Sequence, residues 1–154
     1  MVRKAIAVFQ GKLEGYVEFT ENKKSMTIRT HVRGLRKGKH GFHIHESGDL
    51  RGEGCMKACK HFNPNKKTHG GAKGSDRHAG DLGNITSQGV GRWVNHIMYA
   101  PLLRFSGKYN ILGRSVIIHA GEDDLGLGGD AESLETGNSG ARLDCAVIGI
   151  RECS

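Results

Sequence analysis

His43 and His45 stand one residue apart in Gly41-Phe42-His43-Ile44-His45-Glu46. Residues two apart in a β-strand share a face, so both imidazoles can reach one point, and a metal ion is the usual reason for that. An isolated His-x-His is common by chance. Its weight here comes from His61, His69, His78, Asp81 and His119 further along the chain. Neutral imidazole is the commonest ligand for copper and zinc, and a carboxylate suits zinc as a fourth, tetrahedral ligand. His61, His69, His78 and Asp81 could therefore make one closed, structural zinc site. His43, His45 and His119 could make a second, rigid site on strands. Three or four nitrogens without sulfur suit Cu(II) in a roughly planar arrangement with one face open to substrate. Nine histidines in 154 residues invite the plainer reading that they are mere composition. Six of them, with an aspartate, placed in this way among glycine-rich loops, argue against it.

These side chains need strands and pinned loops. Residues 5–9 are apolar without a break, which predicts a strand buried on both faces. In residues 16–20, Val17 and Phe19 face inward and Glu18 outward. Residues 26–33 alternate cleanly, with Met26, Ile28, Thr30 and Val32 on one face, as in a half-buried antiparallel strand; His31 falls on the polar face and reads as a surface residue. The strand of residues 40–45 follows a basic turn. Residues 46–80 show no periodicity. So long a loop in a compact domain is expected only where it is functional or stapled. Short strands are predicted at 81–86, 91–99 and 116–120, with His96 structural. A second glycine-rich segment covers 121–140, and residues 143–150 form a last apolar strand broken only by Asp144. About eight strands, no helix and no repeat predict an all-β antiparallel β-sandwich or barrel with two long functional loops, one domain over residues 1–154.

Composition agrees. Gly is abundant (24) and Pro scarce (2). The net charge of +7 is spread without a run of five basic residues, so it reads as a solvated basic surface and not as a nucleic-acid interface. No apolar run is long enough to span a membrane, and the apolar stretch near the start is too short for a secretory leader, so a cytoplasmic protein is expected. Cys55, Cys59, Cys145 and Cys153 allow three full pairings that spacing does not rank. The apolar first and last strands, notably Ala5, Ala7 and Phe9 with residues 147–150, need a cover for a second face, and a second copy of the chain is the simplest one.

Seven stretches together resemble the copper/zinc superoxide dismutase family. They are Gly41-Phe42-His43-Ile44-His45-Glu46, His61-Phe62-Asn63-Pro64, His69-Gly70-Gly71, residues 77–84, residues 113–119, Asp123-Asp124-Leu125-Gly126 and residues 136–143. They are long, in order, and span almost the whole chain. The resemblance implies a Greek-key β-sandwich and conversion of superoxide to oxygen and hydrogen peroxide by a redox-cycling copper beside a structural zinc. It implies copper on His43, His45, His61 and His119, zinc on His61, His69, His78 and Asp81, and His61 as the bridge that takes up a proton in the cycle. Asp123 would link a copper histidine to a zinc histidine, Arg142 would meet the incoming anion, and Cys55 and Cys145 would pair. A homodimer and a copper chaperone are the implied protein partners. Three departures stand out: Cys59 and Lys60 where small and proline residues are usual, Ser47 where a large aromatic is common, and no Lys or Arg in residues 120–141. Lys57 and Lys60 are the predicted replacements for guiding charge near the copper. The competing readings are a non-enzymatic metal-binding or chaperone-like relative, and a basic nucleic-acid module that the 6% aromatic content does not favour.

Overall fold

The computed structural model describes residues 2–153. Nine strands occur in chain order: β1 Lys4–Phe9, β2 Glu14–Glu21, β3 Met26–Arg33, β4 Gly38–His45, β5 Asp81–Ser87, β6 Val94–Ala100, β7 Ser115–His119, β8 Arg142–Val147 and β9 Gly149–Ile150. Only two single-turn 3-10 helices, Met56–Ala58 and Gly107–Tyr109, interrupt the loops of the described residues. One sheet has the order β6-β3-β2-β1-β9 and the other β5-β4-β7-β8. Each strand is antiparallel to its neighbours. The chain crosses between sheets after β3, β5, β6 and β8, which is the Greek-key sandwich. No helix among the described residues is long and apolar enough to cross a membrane.

Alternation produces the core. Val17 and Phe19 of β2 and Met26, Ile28 and Val32 of β3 are fully buried. They meet Phe42 and Ile44 of β4 and Val116 and Ile118 of β7 in one continuous cluster. Residue 31 lies on the outer face, where its imidazole stacks on Trp93 with ring centroids 4.2 Å apart.

Three sequence readings are corrected. Ala5, Ala7 and Phe9 are the inward face of β1, fully or almost fully buried. The apolar outer face consists of Ile6 and Val8, joined by exposed Val147 and Ile150. An unbroken apolar run does not say which face is which, because both parities look alike. The last strand is in fact two. β8 pairs with β7 in one sheet, Ile148 turns into the core, and β9 pairs with β1 in the other. The sixth strand starts at Val94, not at residue 91, because Gly89 and Arg92 close a turn.

Candidate metal centre

The site is built on the face of β4 and β7 opposite to the one that sends Phe42, Ile44, Val116 and Ile118 into the core. His43 and His45 project from β4, and His119 ends β7. The loop after β4 doubles back along that strand: Phe62 N–H donates to the Ile44 carbonyl at 2.8 Å, and Ile44 N–H donates to Gly80 at 2.9 Å. A side chain at Gly80 would overlap the Ile44 carbonyl, so this return needs glycine. It sets His61 directly beside His45, to which it forms an isolated β-bridge.

Two overlapping groups of donors result. In His43, His45, His61 and His119, one ligand atom from each lies within 4.8 Å of every other. The same holds for His43, His61, His69 and Asp81. His78 falls outside that second set by this measure, yet its Nδ1 lies 3.1 Å from His61 Nδ1 and 3.2 Å from Asp81 Oδ1. Asp81, at the start of β5, also accepts from the backbone N–H of Gly70 at 3.0 Å and of His78 at 2.8 Å. All seven predicted donor residues are buried.

The rings are held from outside by their second nitrogens. His45 Nδ1 meets the Cys59 carbonyl at 2.9 Å, and His119 Nδ1 meets Gly140 at 3.2 Å. Asp123 spans two rings, with Oδ2 2.6 Å from His43 Nε2 and Oδ1 2.7 Å from His69 Nε2. The inward nitrogens are left bare. His43 Nδ1, His45 Nε2, His69 Nδ1 and His119 Nε2 are buried without a hydrogen-bond partner. His69 Nδ1 is 3.0 Å from Asp81 Oδ1 but is not oriented to bond to it. A buried unpaired nitrogen is costly, and four of them converging here fit a bound cation. Outer-shell bonds of this kind fix the tautomer and aim the free nitrogen.

Charge in the metal-free site follows the same layout. Burial pushes the imidazolium forms of His43 and His45 well down, and the neighbouring His61 adds to this. Burial likewise lowers His61, with Asp81 opposing, and brings His119 to about 4. His69 goes the other way, to about 9, because Asp123 and the nearby Asp81 outweigh its burial. For Asp81 burial alone would raise the carboxyl, but its histidine neighbours hold it far below the ordinary carboxylate range. His43, His45, His61 and His119 are thus held as neutral imidazoles beside an ionised carboxylate, the protonation state that metals require, whereas His69 has to give up its proton to a metal.

Above the rings lies a cavity of about 880 Å³ reached by His45, His61 and His119. Arg142 is on its wall and donates to the carbonyls of Cys55 (2.9 Å) and Cys59 (2.6 Å). Lys60 lines it too, whereas Lys57 does not; Lys67, which the sequence reading passed over, takes that place. Glu46, Glu132 and Glu135 are the anionic groups on the wall. Cys55 and Cys145 are joined, with Cα atoms 6.2 Å apart, and Cys59 and Cys153 are free and exposed.

Three further residues shape the site. Gly137 (φ +74°) passes so close that a Cβ would overlap both Asp123 Oδ1 and His69 Nε2. Asn84 exchanges two hydrogen bonds with the backbone of Asp123, at 2.9 and 2.8 Å. Buried Arg77 donates to the carbonyls of Ala72, His78 and Ala79, which ties the loop together around His78. Their only sequence signal was membership of the resembling stretches.

Two donor clusters that share buried imidazoles on the outer face of one sheet of a Greek-key sandwich define a binuclear metalloprotein of the β-sandwich class. The comparisons narrow the class. The sequence profile of the family described as copper/zinc superoxide dismutase (SODC) matches residues 13–148. A Cu-Zn superoxide dismutase of Paramecium bursaria Chlorella virus 1 is 49% identical over 146 residues, covering 94% of this chain and 77% of the relative. A Cu-Zn superoxide dismutase A of Xenopus laevis is 45% identical over 151 residues, covering 96% and 97%. The crystal structure of the clock protein EA4 superposes with a TM-score of 0.91 at 37% identity, covering 97% of this chain and 95% of that one. The chain belongs to the copper/zinc superoxide dismutase family.

Proposed function

We propose that this chain converts superoxide to oxygen and hydrogen peroxide, with copper held by His43, His45, His61 and His119 and zinc by His61, His69, His78 and Asp81. The observation that carries the reading is the set of four buried, unpartnered imidazole nitrogens, on His43, His45, His69 and His119, gathered around the His61 ring. When bound, copper supplies one-electron redox chemistry and zinc a fixed positive charge. His61 Nδ1 is engaged beside Asp81 and His78, so Nε2 is the nitrogen left to face the other cluster. It is the group that holds or gives up a proton there as the anion is reduced. Arg142 has its guanidinium pinned by two carbonyls and so presents a fixed charge and donors to superoxide. Asp123 holds the His43 and His69 rings in register with one another. Metal analysis together with superoxide consumption by the purified protein tests the reading. Fewer than one copper and one zinc per active chain would defeat it.

The same reading includes a homodimer through Ile6, Val8, Val147 and Ile150, supported by the exposure of Val8, Val147 and Ile150 beside half-buried Ile6 on the first and last strands and tested by light scattering of metal-loaded protein. A copper chaperone is the proposed source of copper, tested by comparing loading with and without one. The whole chain is taken as one domain, to be tested by limited proteolysis. Cytoplasmic residence, favoured by two exposed free thiols, is tested by cell fractionation.

A further inference from the structure

Cys59 is an exposed thiol at one end of a single 3-10 turn whose other end is the disulfide-bonded Cys55. The turn is closed by Ala58 N–H to the Cys55 carbonyl at 3.2 Å and Cys59 N–H to the Met56 carbonyl at 3.2 Å. One guanidinium, that of Arg142, grips the carbonyls of both cysteines. Arg142 lies three residues before Cys145 on β8, so both ends of the turn sit against the strand that carries the third sulfur. Neither Cys55 nor Cys145 is sealed in the core.

We infer that Cys59 is a built-in nucleophile for the Cys55–Cys145 disulfide, so that the chain interconverts between Cys55–Cys145 and Cys59–Cys145 pairings. The Cys59 thiol loses its proton, and its sulfur attacks Cys145 Sγ. The bond to Cys55 breaks, and Cys55 leaves as a thiolate that takes up a proton. One S–S bond forms as one breaks, and no oxidant or reductant is consumed. Chain entropy does not choose between the pairings. Moving the bond from Cys55 to Cys59 shortens a separation of 90 residues by only four, and closure entropy varies with the logarithm of length. Backbone conformation does not choose sharply either: Cys55 sits at φ 59° and Cys59 at φ 69°, ψ −146°, both disfavoured for a residue with a Cβ.

The exchange reaches the metal centre through backbone carbonyls. The Cys59 carbonyl accepts from both His45 Nδ1 and Arg142, and the Cys55 carbonyl accepts from Arg142. Drawing Cys59 toward β8 turns these carbonyls, so the second pairing releases the arginine from at least one of its two anchors.

The test is disulfide mapping of the metal-loaded protein, acid-quenched to stop exchange and digested without reduction. The expected result is a Cys59–Cys145 peptide alongside the Cys55–Cys145 one, given near-equal closure entropies, and its persistence in Cys153→Ser. Cys55→Ser combined with Cys153→Ser, which leaves only the second pairing, supplies the reference peptide. Native alkylation gives an independent readout: Cys55 should label in the wild type and stay unlabelled in Cys59→Gly, a change that also suits the local backbone. Absence of the second peptide in the wild type, or Cys55 labelling that survives Cys59→Gly, would overturn the inference.

Discussion

The two long loops, residues 46–80 and 120–141, meet over the same cavity but are built in opposite ways. The first carries seven Lys and Arg against four Asp and Glu, and the second carries six acids and no base. The first brings His61, His69 and His78 to the centre and is tied to β8 by a disulfide. The second brings no member of either donor cluster. It closes on itself, as Ser133 Oγ donates to Asp124 at 2.7 Å and Asn138 Nδ2 donates to Asp124 at 2.8 Å and to Asp130 at 3.1 Å. Its reach into the centre is the Asp123 carboxylate, with the Gly140 carbonyl against His119 Nδ1. One loop thus supplies donors, and the other holds the donors' rings still.

The largest effects should come from the first loop and the strands it meets. His61→Ala should abolish dismutase activity and lower the content of both metals. His119→Ala should abolish activity and lose copper while keeping zinc. Equal metal loss in the two variants, measured by elemental analysis, would show that the clusters are not separable.

Cys145→Ser removes the covalent tie. Closure over 90 residues predicts a loss of about 4–5 kcal/mol on the chain-entropy model. Denaturant midpoints of metal-loaded protein measure it, and a loss below about 1 kcal/mol would mean that the ligands alone secure the loop.

For the second loop, Asp123→Asn keeps the shape but gives a ring nitrogen a donor in place of an acceptor. His43 and His69 cannot then both keep their tautomers. Metal affinity should fall about 10–100-fold, with the fold intact by circular dichroism. Loss of all metal binding would put Asp123 among the ligands.

In the metal-free protein, pH separates the groups. His43, His45, His61 and His119 are lowered chiefly by burial. Their contribution is complete above about pH 6.5 and is lost as pH falls toward the value of about 4 for His119. His69 is raised to about 9, so its contribution is complete below about 6.5 and is lost as pH rises through 9. Urea midpoints should peak near pH 6.5 and fall on both sides. If Asp123→Asn left the alkaline fall unchanged, Asp123 would not be its source.

The smallest effect concerns the mouth. Among the described residues, the Lys and Arg side chains on its wall are Lys60, Lys67 and Arg142, with Glu132 and Glu135 of the second loop on the same wall. Charge acts there over a screening length of about 8 Å at physiological salt. Lys60→Glu or Lys67→Glu should lower kcat/KM a few-fold, on the order of 3–10 at low salt, and flatten its salt dependence. Lys23→Glu, in the exposed β2–β3 turn, should do little. Equal effects from all three would mean that only net charge matters.

Much of this was legible in the sequence where a side chain contradicts its surroundings. His43 and His45 share a parity on β4, and His119 interrupts an apolar run. Lys67 was not legible, since a loop lysine beside a ligand in sequence looks like any solvated charge. The grip of Asp123 on His43 and His69 joins residues from three separate elements, and no local pattern encodes it; the family resemblance alone pointed there. The break at Ile148 was hidden because a residue turning into the core between two sheets reads as one more apolar position.

β9 pairs with β1, setting Ile150 beside Ala5 and Gly149 beside Ile6, and Arg151 N–H donates to the Lys4 carbonyl at 3.0 Å. During synthesis, then, the first strand made must wait for the last. Until residues 149 and 150 leave the ribosome, β1 has a neighbour on one side only, and its unpaired backbone edge lies beside the apolar face of Ile6 and Val8. Edges of this kind invite pairing with other chains. Late arrival of a two-residue strand therefore decides how long each nascent copy remains open to its neighbours.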